Sequence, residues 1–388
     1  MTALGILDAV GWQTVFDLES GQEREADGPL CSIARKIQQD HPYPGDQEAG
    51  AMAWVTDTAL GLTRRYSPEL VLLNYANPFF LRTFSGLSRE AWLGAVATAF
   101  VEAGRFIEES GFCPVVLGTG SLTPVMGRVD LSTIDGIENV TGPVPTYAAV
   151  DRPSTRDLKE IEEMDGIRWA MTKDEVVRQF RPCKEQAHRL PDLLLAAEQG
   201  WIFRGFGSVT RPVHAIPGLD REIPIHSDAG TIRTLPEIKP TVLRRLEEGD
   251  KVAFIIIEGV GTDNFLLPWT RCDNTFGEFI YPQGGEQYLA AMTGEHLNRQ
   301  PHPPAYFHFR EDDENKPYPF SGYFTALPER TLGGDWSGKS VAVGSRSTLT
   351  HLTTGADIAL ECYARNLYNF GTLAVVREQK KRGDEQGE

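Results

Sequence analysis

Hydrophobic positions in the first third of the chain follow two alternating spacings, which predict alternating helices and strands. Residues 51 to 66 and 89 to 110 carry apolar side chains at helical spacing, whereas residues 69 to 76 and 112 to 118 are short apolar runs typical of buried strands. A strand, a long helix and a second apolar strand form a unit typical of parallel sheets. The pattern predicts an α/β fold with a mostly parallel central sheet and helices on both faces.

The second half of the chain continues this alternation. Residues 240 to 250 and 284 to 297 have helical spacing, and residues 251 to 259 read as a very apolar strand. Near the C-terminus, residues 355 to 370 are predicted as a helix and residues 371 to 376 as a strand. The charged residues that follow are expected to be frayed or disordered.

A change in composition between residues 135 and 155 predicts a domain boundary, because Gly, Pro, Ser and Thr are frequent there and a charged helix follows. We therefore divide the chain into residues 1–150 and 151–388. The second segment either completes the sheet of the first or forms a domain of its own. Within it, a stretch near residues 300–330 is rich in Pro and aromatic residues and is predicted to be an ordered loop or insertion.

Composition narrows the functional classes. The 388 residues are 41% hydrophobic, enough for a substantial core, and the net charge of -16 opposes a nucleic-acid surface while allowing a local pocket for a small anion. The sequence has no signal-peptide pattern and no apolar window long enough to cross a membrane, so a soluble, cytoplasmic protein is expected. Five scattered cysteines predict reduced thiols. The oligomeric state, including a homo-oligomer, is left open.

Three short motifs resemble one known family. The stretch LVLLNYANPFFLRTFSG (70 to 86) is followed by VVLGTGSLTP (115 to 124) and VTGPVP (140 to 145). In order and rough spacing these motifs resemble the alkaline phosphatase superfamily, in particular its cofactor-independent phosphoglycerate mutase and phosphopentomutase branch. The resemblance covers about the first 150 residues. It implies an alkaline-phosphatase-like fold and a hydrolase or transferase that acts on phosphate esters with two metal ions.

The chain departs from that family at the residues that would bind the metals. Phe79 and Thr83 stand where the resemblance requires an Asp and a His, and Gly118-Thr119-Gly120 replaces an Asp-His-Gly turn. Phenylalanine offers no ligand atom to a cation. The departures therefore predict that the standard two-metal site is absent, and that any metal has moved to another part of the chain.

Two strands could supply the carboxylate that begins the family's metal site. One ends at Asp8, early in the chain, and the other ends at Glu258, with Asp263 five residues later. We favour Glu258, because its strand pattern is unambiguous and open α/β sheets bind ligands at the carboxyl ends of their strands.

Two further groups of polar residues lie in the middle of the chain. His226 and Asp228 are two residues apart, so in an extended segment their side chains would share one side and could share a metal or a proton; a surface turn is an equal alternative. Arg204 and Arg211, near His214 and several glycines, could form an anion pocket or a solvated loop.

The C-terminal region concentrates hydroxyl groups and charges. Ser345, Arg346, Ser347 and His351 precede the helix predicted for residues 355 to 370, and a helix N-terminus favours anions. Within that helix, Asp357, Glu361 and Arg365 would recur on one face. Such a stripe is either an exposed set of ion pairs or a Glu-Arg pair that orders a pocket.

Three functions fit these residues. The first is an atypical hydrolase or transferase of alkaline-phosphatase-like fold that acts on a small anionic substrate with a relocated divalent metal, zinc, manganese or magnesium. The second is a metal-free acid-base enzyme, and the third is a catalytically silent binding protein. We favour an enzyme and assign three sets of residues: catalytic His226, Arg346, His351 and Glu361; substrate-binding Arg204, Arg211, Ser345, Ser347 and Arg365; and metal-binding Asp228, Glu258 and Asp263.

Overall fold

A computed structural model describes most of the first 299 residues and, beyond them, only short strands. The described residues are 39–42, 44–45, 47–140, 144–187, 190–204, 212–283, 287–288, 290–291 and 294–299, together with the backbone of strands at 5–7, 14–17, 22–25, 340–343, 359–363 and 375–377.

Seven α-helices have described bounds, and residues 39–40, 287–288 and 290–291 are also helical. The seven helices are α1 (Ala51–Tyr66), α2 (Asn77–Phe84), α3 (Arg89–Ser110), α4 (Thr155–Glu163), α5 (Lys173–Phe180), α6 (Lys184–Ala187) and α7 (Ile238–Glu247). The prediction of α3 is confirmed, and its ends have a physical cause. Ser88 Oγ accepts a hydrogen bond from Ala91 N at 3.2 Å, and Gly111 ends the helix in the left-handed conformation.

Strands and three short 3₁₀ helices are also present among the described residues. In chain order the strands are β1 (Gly5–Leu7), β2 (Thr14–Asp17), β3 (Gln22–Glu25), β4 (Leu70–Tyr75), β5 (Cys113–Gly118), β6 (Leu122–Pro124), β7 (Gly127–Asp130), β8 (Ile137–Asn139), β9 (Tyr147–Asp151), β10 (Ile167–Thr172), β11 (Leu193–Ala197), β12 (Trp201–Arg204), β13 (Ala215–Pro217), β14 (Glu222–Ser227), β15 (Val252–Ile257), β16 (Thr270–Asp273), β17 (Thr275–Phe276), β18 (Phe279–Ile280), β19 (Ser340–Val343), β20 (Ala359–Tyr363) and β21 (Val375–Arg377).

The largest sheet has six strands, in the order β16-β14-β5-β15-β4-β20. Its strands β5, β15, β4 and β20 are parallel, whereas β14 and β16 are antiparallel to their neighbours. Alternate residues of β15 enter two cores: Ile255 and Ile257 pack toward α1 and α3, and Phe254 and Ile256 pack toward α7. Burial on both faces explains why β4 and β15 are continuous apolar runs.

The predicted fold class, a mostly parallel central sheet of alkaline-phosphatase-like type, is wrong. Ten of the fifteen strand pairings are antiparallel, and the described strands are divided among six sheets rather than one. The error has a physical cause. Hydrophobic spacing identifies a strand but not the partner with which it pairs, and many strands here are too short and too exposed to show an apolar run.

Residues 122–217, which we call the inserted lobe, lie between β5 and β14. The antiparallel pair β6 and β13 forms the neck through which the chain enters and leaves the lobe. Beyond the neck, a four-stranded sheet in the order β10-β11-β9-β8 packs against α4 on one face and α5 on the other. The predicted domain boundary at residue 150 falls within β9 of this sheet. Strands from both predicted segments share the six-stranded sheet.

The helix predicted for residues 355 to 370 is wrong at its centre. Ala359–Tyr363 forms β20, which pairs in parallel with β4, and Glu361 lies opposite Leu72. The exposed edge of β4 offers unpaired backbone groups, and pairing with them outweighs the weak helical preference of this segment. Glu361 lies in a strand, so it cannot share a helical face with Asp357 and Arg365. The rest of the predicted helix, including Asp357 and Arg365, lies outside the described residues.

Candidate active site at the carboxyl edge of the parallel strands

Three turns meet where β4, β5 and β15 end. Residues 76–78 follow β4, residues 118–121 follow β5, and residues 258–261 follow β15. Because the three strands are parallel, their carboxyl ends lie at the same edge of the sheet. This is the edge at which open α/β sheets bind their ligands.

Glu258 is the central polar residue of this edge, and it is only 1% exposed. Its backbone N–H donates to Tyr75 O at 3.1 Å, which continues the strand ladder by one residue. Its Oε1 accepts hydrogen bonds from Asn74 Nδ2 at 2.8 Å and from the Tyr288 hydroxyl. A buried carboxylate requires such donors, because burial without them is costly. Asn74 Nδ2 also lies 3.3 Å from the Tyr288 hydroxyl oxygen, which closes a buried triangle.

One acceptor in this triangle is unused. No hydrogen-bond donor among the described residues reaches Asn74 Oδ1, although Asn74 is fully buried. The amide oxygen and the Glu258 carboxylate therefore form a buried pair of acceptors beside the Tyr288 hydroxyl. Such a pair suits a ligand that brings a hydrogen-bond donor, such as a hydroxyl group or a water molecule.

A second network supports the turn that carries Glu258. Thr119 Oγ1 accepts from Gly259 N at 3.0 Å and donates to Gln283 Oε1 at 3.0 Å. Gln283 Nε2 donates to the carbonyl oxygens of Gly120 and Ser121 at 2.9 and 2.8 Å. Gln287 Nε2 donates to Thr119 O at 2.8 Å. These bonds hold the turns after β5 and β15 in fixed relative positions.

Glycines allow the two turns to touch backbone to backbone. A Cβ atom at Gly118 would lie 2.5 Å from Val260 O, and one at Gly261 would lie 2.8 Å from Ser121 N. Real Cβ atoms do not approach so closely, so these positions exclude side chains. Gly118, which replaces the Asp implied by the family resemblance, has the role of a close backbone contact here.

Phe79 and Thr83 are core residues of α2. Phe79 packs edge to face against Phe80 and Phe84, with ring centroids 5.5 and 6.2 Å apart. Thr83 is fully buried, and its carbonyl oxygen accepts from His214 N at 2.8 Å. The aromatic cluster anchors α2 beside the Glu258 turn, because Phe79 N lies 3.3 Å from where a Cβ of Gly259 would stand. Hydrophobic packing thus explains both phenylalanines after Asn77-Pro78.

The structure separates two of the predicted metal ligands. Asp228 lies at the start of β5, because its N–H donates to Pro114 O at 3.0 Å. Glu258 lies at the end of β5, because the preceding residue, Ile257, pairs with Gly118. The backbones of the two residues are therefore about 16 Å apart along the sheet, five residues of extended chain. Ligands of one cation lie within about 2.6 Å of it, so Asp228 and Glu258 cannot share an ion. Asp263 is exposed in the 3₁₀ turn Thr262–Asn264.

His226 and Asp228 lie side by side at the opposite end of the sheet. His226 Nε2 is 3.5 Å from Asp228 Oδ1, and His226 Nδ1 is 2.8 Å from Pro268 O. Their proximity agrees with the alternation expected of an extended segment. His226 pairs with Val116 on β14, two strands away from β15, so it does not face Glu258.

Of the remaining predicted site residues, the structure describes Arg204 and the backbone of Glu361. Arg204 ends β12 in the inserted lobe, exposed and opposite Asp130. Hydrogen bonds from Ser132 lower the pKa of the Asp130 carboxyl group, and the charge of Arg204 adds to that effect. Glu361 is described only by its backbone. The other predicted residues lie outside the described residues: Arg211, Ser345, Arg346, Ser347, His351 and Arg365.

Sequence reasoning missed the groups that surround Glu258. Asn74 had a usable signal, because a polar residue inside the apolar run LVLLNY is buried and needs a partner. Tyr288 had none, since its position in a helix-like segment does not reveal which strand end it reaches.

Comparison of the chain with protein-family models, with curated proteins and with solved structures finds no match in any of the three. The resemblance to the alkaline phosphatase superfamily therefore stays a prediction. No helix of the described residues is both long enough and apolar enough to cross a membrane.

Proposed function

We propose that this chain is a hydrolase or transferase that acts on a small anionic, phosphate-ester-like substrate at the carboxyl edge, with Glu258 as its acid-base residue. The observation that supports the proposal is the buried Glu258 carboxylate, whose Oε1 accepts hydrogen bonds from Asn74 and Tyr288. A positioned carboxylate of this kind can take a proton from a substrate or return one. The proposal keeps the cytoplasmic location expected from the sequence.

The neighbouring groups have distinct roles in this proposal. Asn74 Nδ2 orients the carboxylate, and Asn74 Oδ1 accepts a hydrogen bond from the substrate or from the attacking water. The Tyr288 hydroxyl donates to Glu258 and fixes the position of its carboxylate. Helix α2 begins at Asn77, beside the Glu258 turn, and its N-cap residue Ala76 provides no side-chain cap. The positive end of the helix favours negative charge there.

The family resemblance also implies a divalent metal. The ligand atoms of the described residues do not form a metal centre by themselves. Glu258 and Asn74 Oδ1 supply two neighbouring oxygen ligands, fewer than the four to eight that zinc, magnesium or calcium-like sites use. Among the described residues no three His, Cys, Asp or Glu side chains converge. We derive no step through a metal, and elemental analysis of the purified chain tests the prediction of zinc, manganese or magnesium.

One observation favours a second function, a catalytically silent binding protein. The hydrogen bonds of Thr119, Gln283 and Gln287 are satisfied by protein groups, as in a structural network. In that case Glu258 would only stabilise the turn after β15.

Replacement of Glu258 distinguishes these functions. Glu258→Gln keeps an oxygen that accepts from Asn74 and Tyr288 but removes the proton acceptor. Once the full chain has been assayed on a panel of phosphate monoesters, we expect Glu258→Gln to reduce kcat by about 100-fold or more, with an unchanged melting temperature. The matched control is Glu247→Gln, an exposed residue at the end of α7.

Two results would reject the assignment. Full activity of Glu258→Gln would assign Glu258 to the structure alone. A tenfold loss in His226→Ala, with Glu258→Gln unaffected, would move the reaction to the His226-Asp228 pair at the opposite end of the sheet.

A further inference from the structure

Three N–H donors in the inserted lobe are shielded from solvent and have no acceptor among the described residues. They are Arg168 Nε, Arg168 Nη2 and Trp169 Nε1, and no hydrogen-bond acceptor of the described residues reaches any of them. No ion pair of Arg168 with a described carboxylate is formed. Arg168 and Trp169 are half-buried as residues, but these three nitrogens are shielded from solvent. Native proteins rarely leave such donors unpaired. An unpaired group of this kind requires an explanation.

The backbone places both residues at an irregularity of the sheet. Strand β10 is an edge strand, and its pairing with β11 shifts register between Ile167 and Trp169, so Arg168 is the extra residue of a β-bulge. Gly166, in the left-handed conformation, precedes the bulge, and a side chain there would overlap the Trp201 ring. Bulges of this kind re-aim side chains and are common beside binding sites.

Aromatic packing holds the donors in place. Arg168 Cζ lies 5.8 Å from the centroid of the Trp169 ring, a cation-π contact. The Trp169 ring in turn packs against Tyr147 and Phe180, with centroid distances of 5.9 and 6.4 Å. The guanidinium and the indole N–H are thus fixed on one rigid aromatic cluster, which is the preorganisation that a binding site requires.

The identity of the unpaired nitrogens indicates the ligand. Nε and Nη2 lie on one side of the planar guanidinium, where their N–H bonds form a fork that matches two oxygens of a carboxylate or a phosphate. We infer that the β10 bulge, with Arg168 and Trp169, is a binding site for an oxyanion group of a small molecule. The fork binds two oxygens of that group, and the indole N–H is a third donor. This inference does not depend on the activity proposed for Glu258.

Nuclear magnetic resonance of the full chain labelled with ¹⁵N-tryptophan tests the site. The chain has seven tryptophans, so Trp169→Phe identifies the indole signal of Trp169. Inorganic phosphate and acetate are added in separate titrations at constant ionic strength. We expect saturable movement of the Trp169 signal with at least one anion, and an affinity at least tenfold weaker in Arg168→Met. Binding of acetate alone identifies a carboxylate ligand, and binding of phosphate alone a phosphate ligand.

Thermal unfolding provides a second readout. Without the anion, Arg168→Met should melt at the same temperature as the wild type or higher, because it removes two shielded N–H donors that have no acceptor among the described residues. The anion should raise the melting temperature of the wild type and of the control Arg156→Met, whose side chain is 72% exposed on α4, but not that of Arg168→Met. Arg168→Lys, which keeps the charge and loses the fork, should bind more weakly than the wild type.

Two outcomes would overturn the inference. One is that neither anion moves the Trp169 signal. The other is that Arg168→Met lowers the melting temperature strongly while both anions bind with wild-type affinity, because Arg168 would then have a structural role.

Discussion

The six-stranded sheet and the inserted lobe are stabilised in different ways. Strands β4 and β15 of the sheet are buried along their whole length, whereas β10 of the lobe has no fully buried residue. The lobe uses local polar motifs instead: capping boxes begin both α4 and α5. Nonlocal apolar packing therefore forms the sheet, while short-range hydrogen bonds position much of the lobe.

The two regions also present different chemistry. The sheet brings a buried carboxylate and its hydrogen-bond donors to one edge, at Glu258. The lobe holds a half-buried cation, Arg168, whose Nε and Nη2 have no acceptor among the described residues. A carboxylate with its donors supplied is suited to proton transfer, and an unpaired guanidinium is suited to binding an anion.

Removal of one buried phenylalanine from each region should have the largest effect on stability. Phe254 in the sheet and Phe203 in the lobe are 1% and 2% exposed, so Phe254→Ala and Phe203→Ala should each lower the free energy of unfolding by about 3–5 kcal/mol. Urea denaturation measures the loss in the free energy of unfolding, and hydrogen exchange shows which strands are destabilised. We expect Phe203→Ala to accelerate exchange in β11 and to leave β4 protected.

If Phe203→Ala accelerated exchange equally in β4 and β11, the sheet and the lobe would not be stabilised independently. The sheet and the lobe would then unfold as one cooperative unit, despite their separate hydrophobic cores.

A methyl group at the contact between the two turns should have the next largest effect. In Gly118→Ala the new Cβ would lie 2.5 Å from Val260 O and 2.8 Å from Pro224 Cγ, and neither backbone nor proline ring can move freely. We expect a loss of about 3 kcal/mol in the free energy of unfolding. The matched control is Gly94→Ala on α3, where the new Cβ would meet no atom of the described residues within 4 Å apart from the backbone of its own helix. A gain of about 0.5–1 kcal/mol is expected there. A neutral Gly118→Ala would mean that the two turns do not touch.

The smallest effect should come from a lobe carboxylate and should depend on pH. Asp157 accepts hydrogen bonds from the backbone N–H groups of Asp135, Ser154 and Gly136, and these bonds lower its pKa. A lowered pKa in the folded state adds stability above the unfolded pKa of about 3.9, and that stability disappears as the pH falls through the folded value.

Asp157→Asn should therefore lower the melting temperature at pH 7. It should also lose less stability than the wild type when the pH is lowered below about 4. Thermal unfolding between acid and neutral pH measures both effects, and Asp165→Asn, an exposed residue of the same lobe, is the control. An unchanged acid dependence in Asp157→Asn would show that the capping box does not contribute to folding.

Local signals explain which elements could be predicted. Helix α3 has a long amphipathic pattern, Ser88 at its start and Gly111 at its end, and its bounds agree with the prediction. Strand β15 is a continuous apolar run and was equally clear. Strand β20 was missed because Ala359–Tyr363 has no strong strand preference, and the edge of β4 decides its conformation. The role of Arg168 was also missed, since nothing local distinguishes a buried arginine from an exposed one.

By itself the sequence determined the main helices, the buried strands and the position of a carboxylate at the end of β15, because these follow from the spacing of apolar residues along the chain. Only the tertiary structure decided what surrounds that carboxylate. Asn74 lies 184 residues before Glu258 and Tyr288 lies 30 residues after it. The tertiary structure also placed Asp228 at the end of the sheet opposite Glu258. The physical reason is that periodicity is local, whereas strand order and direction depend on contacts between distant segments.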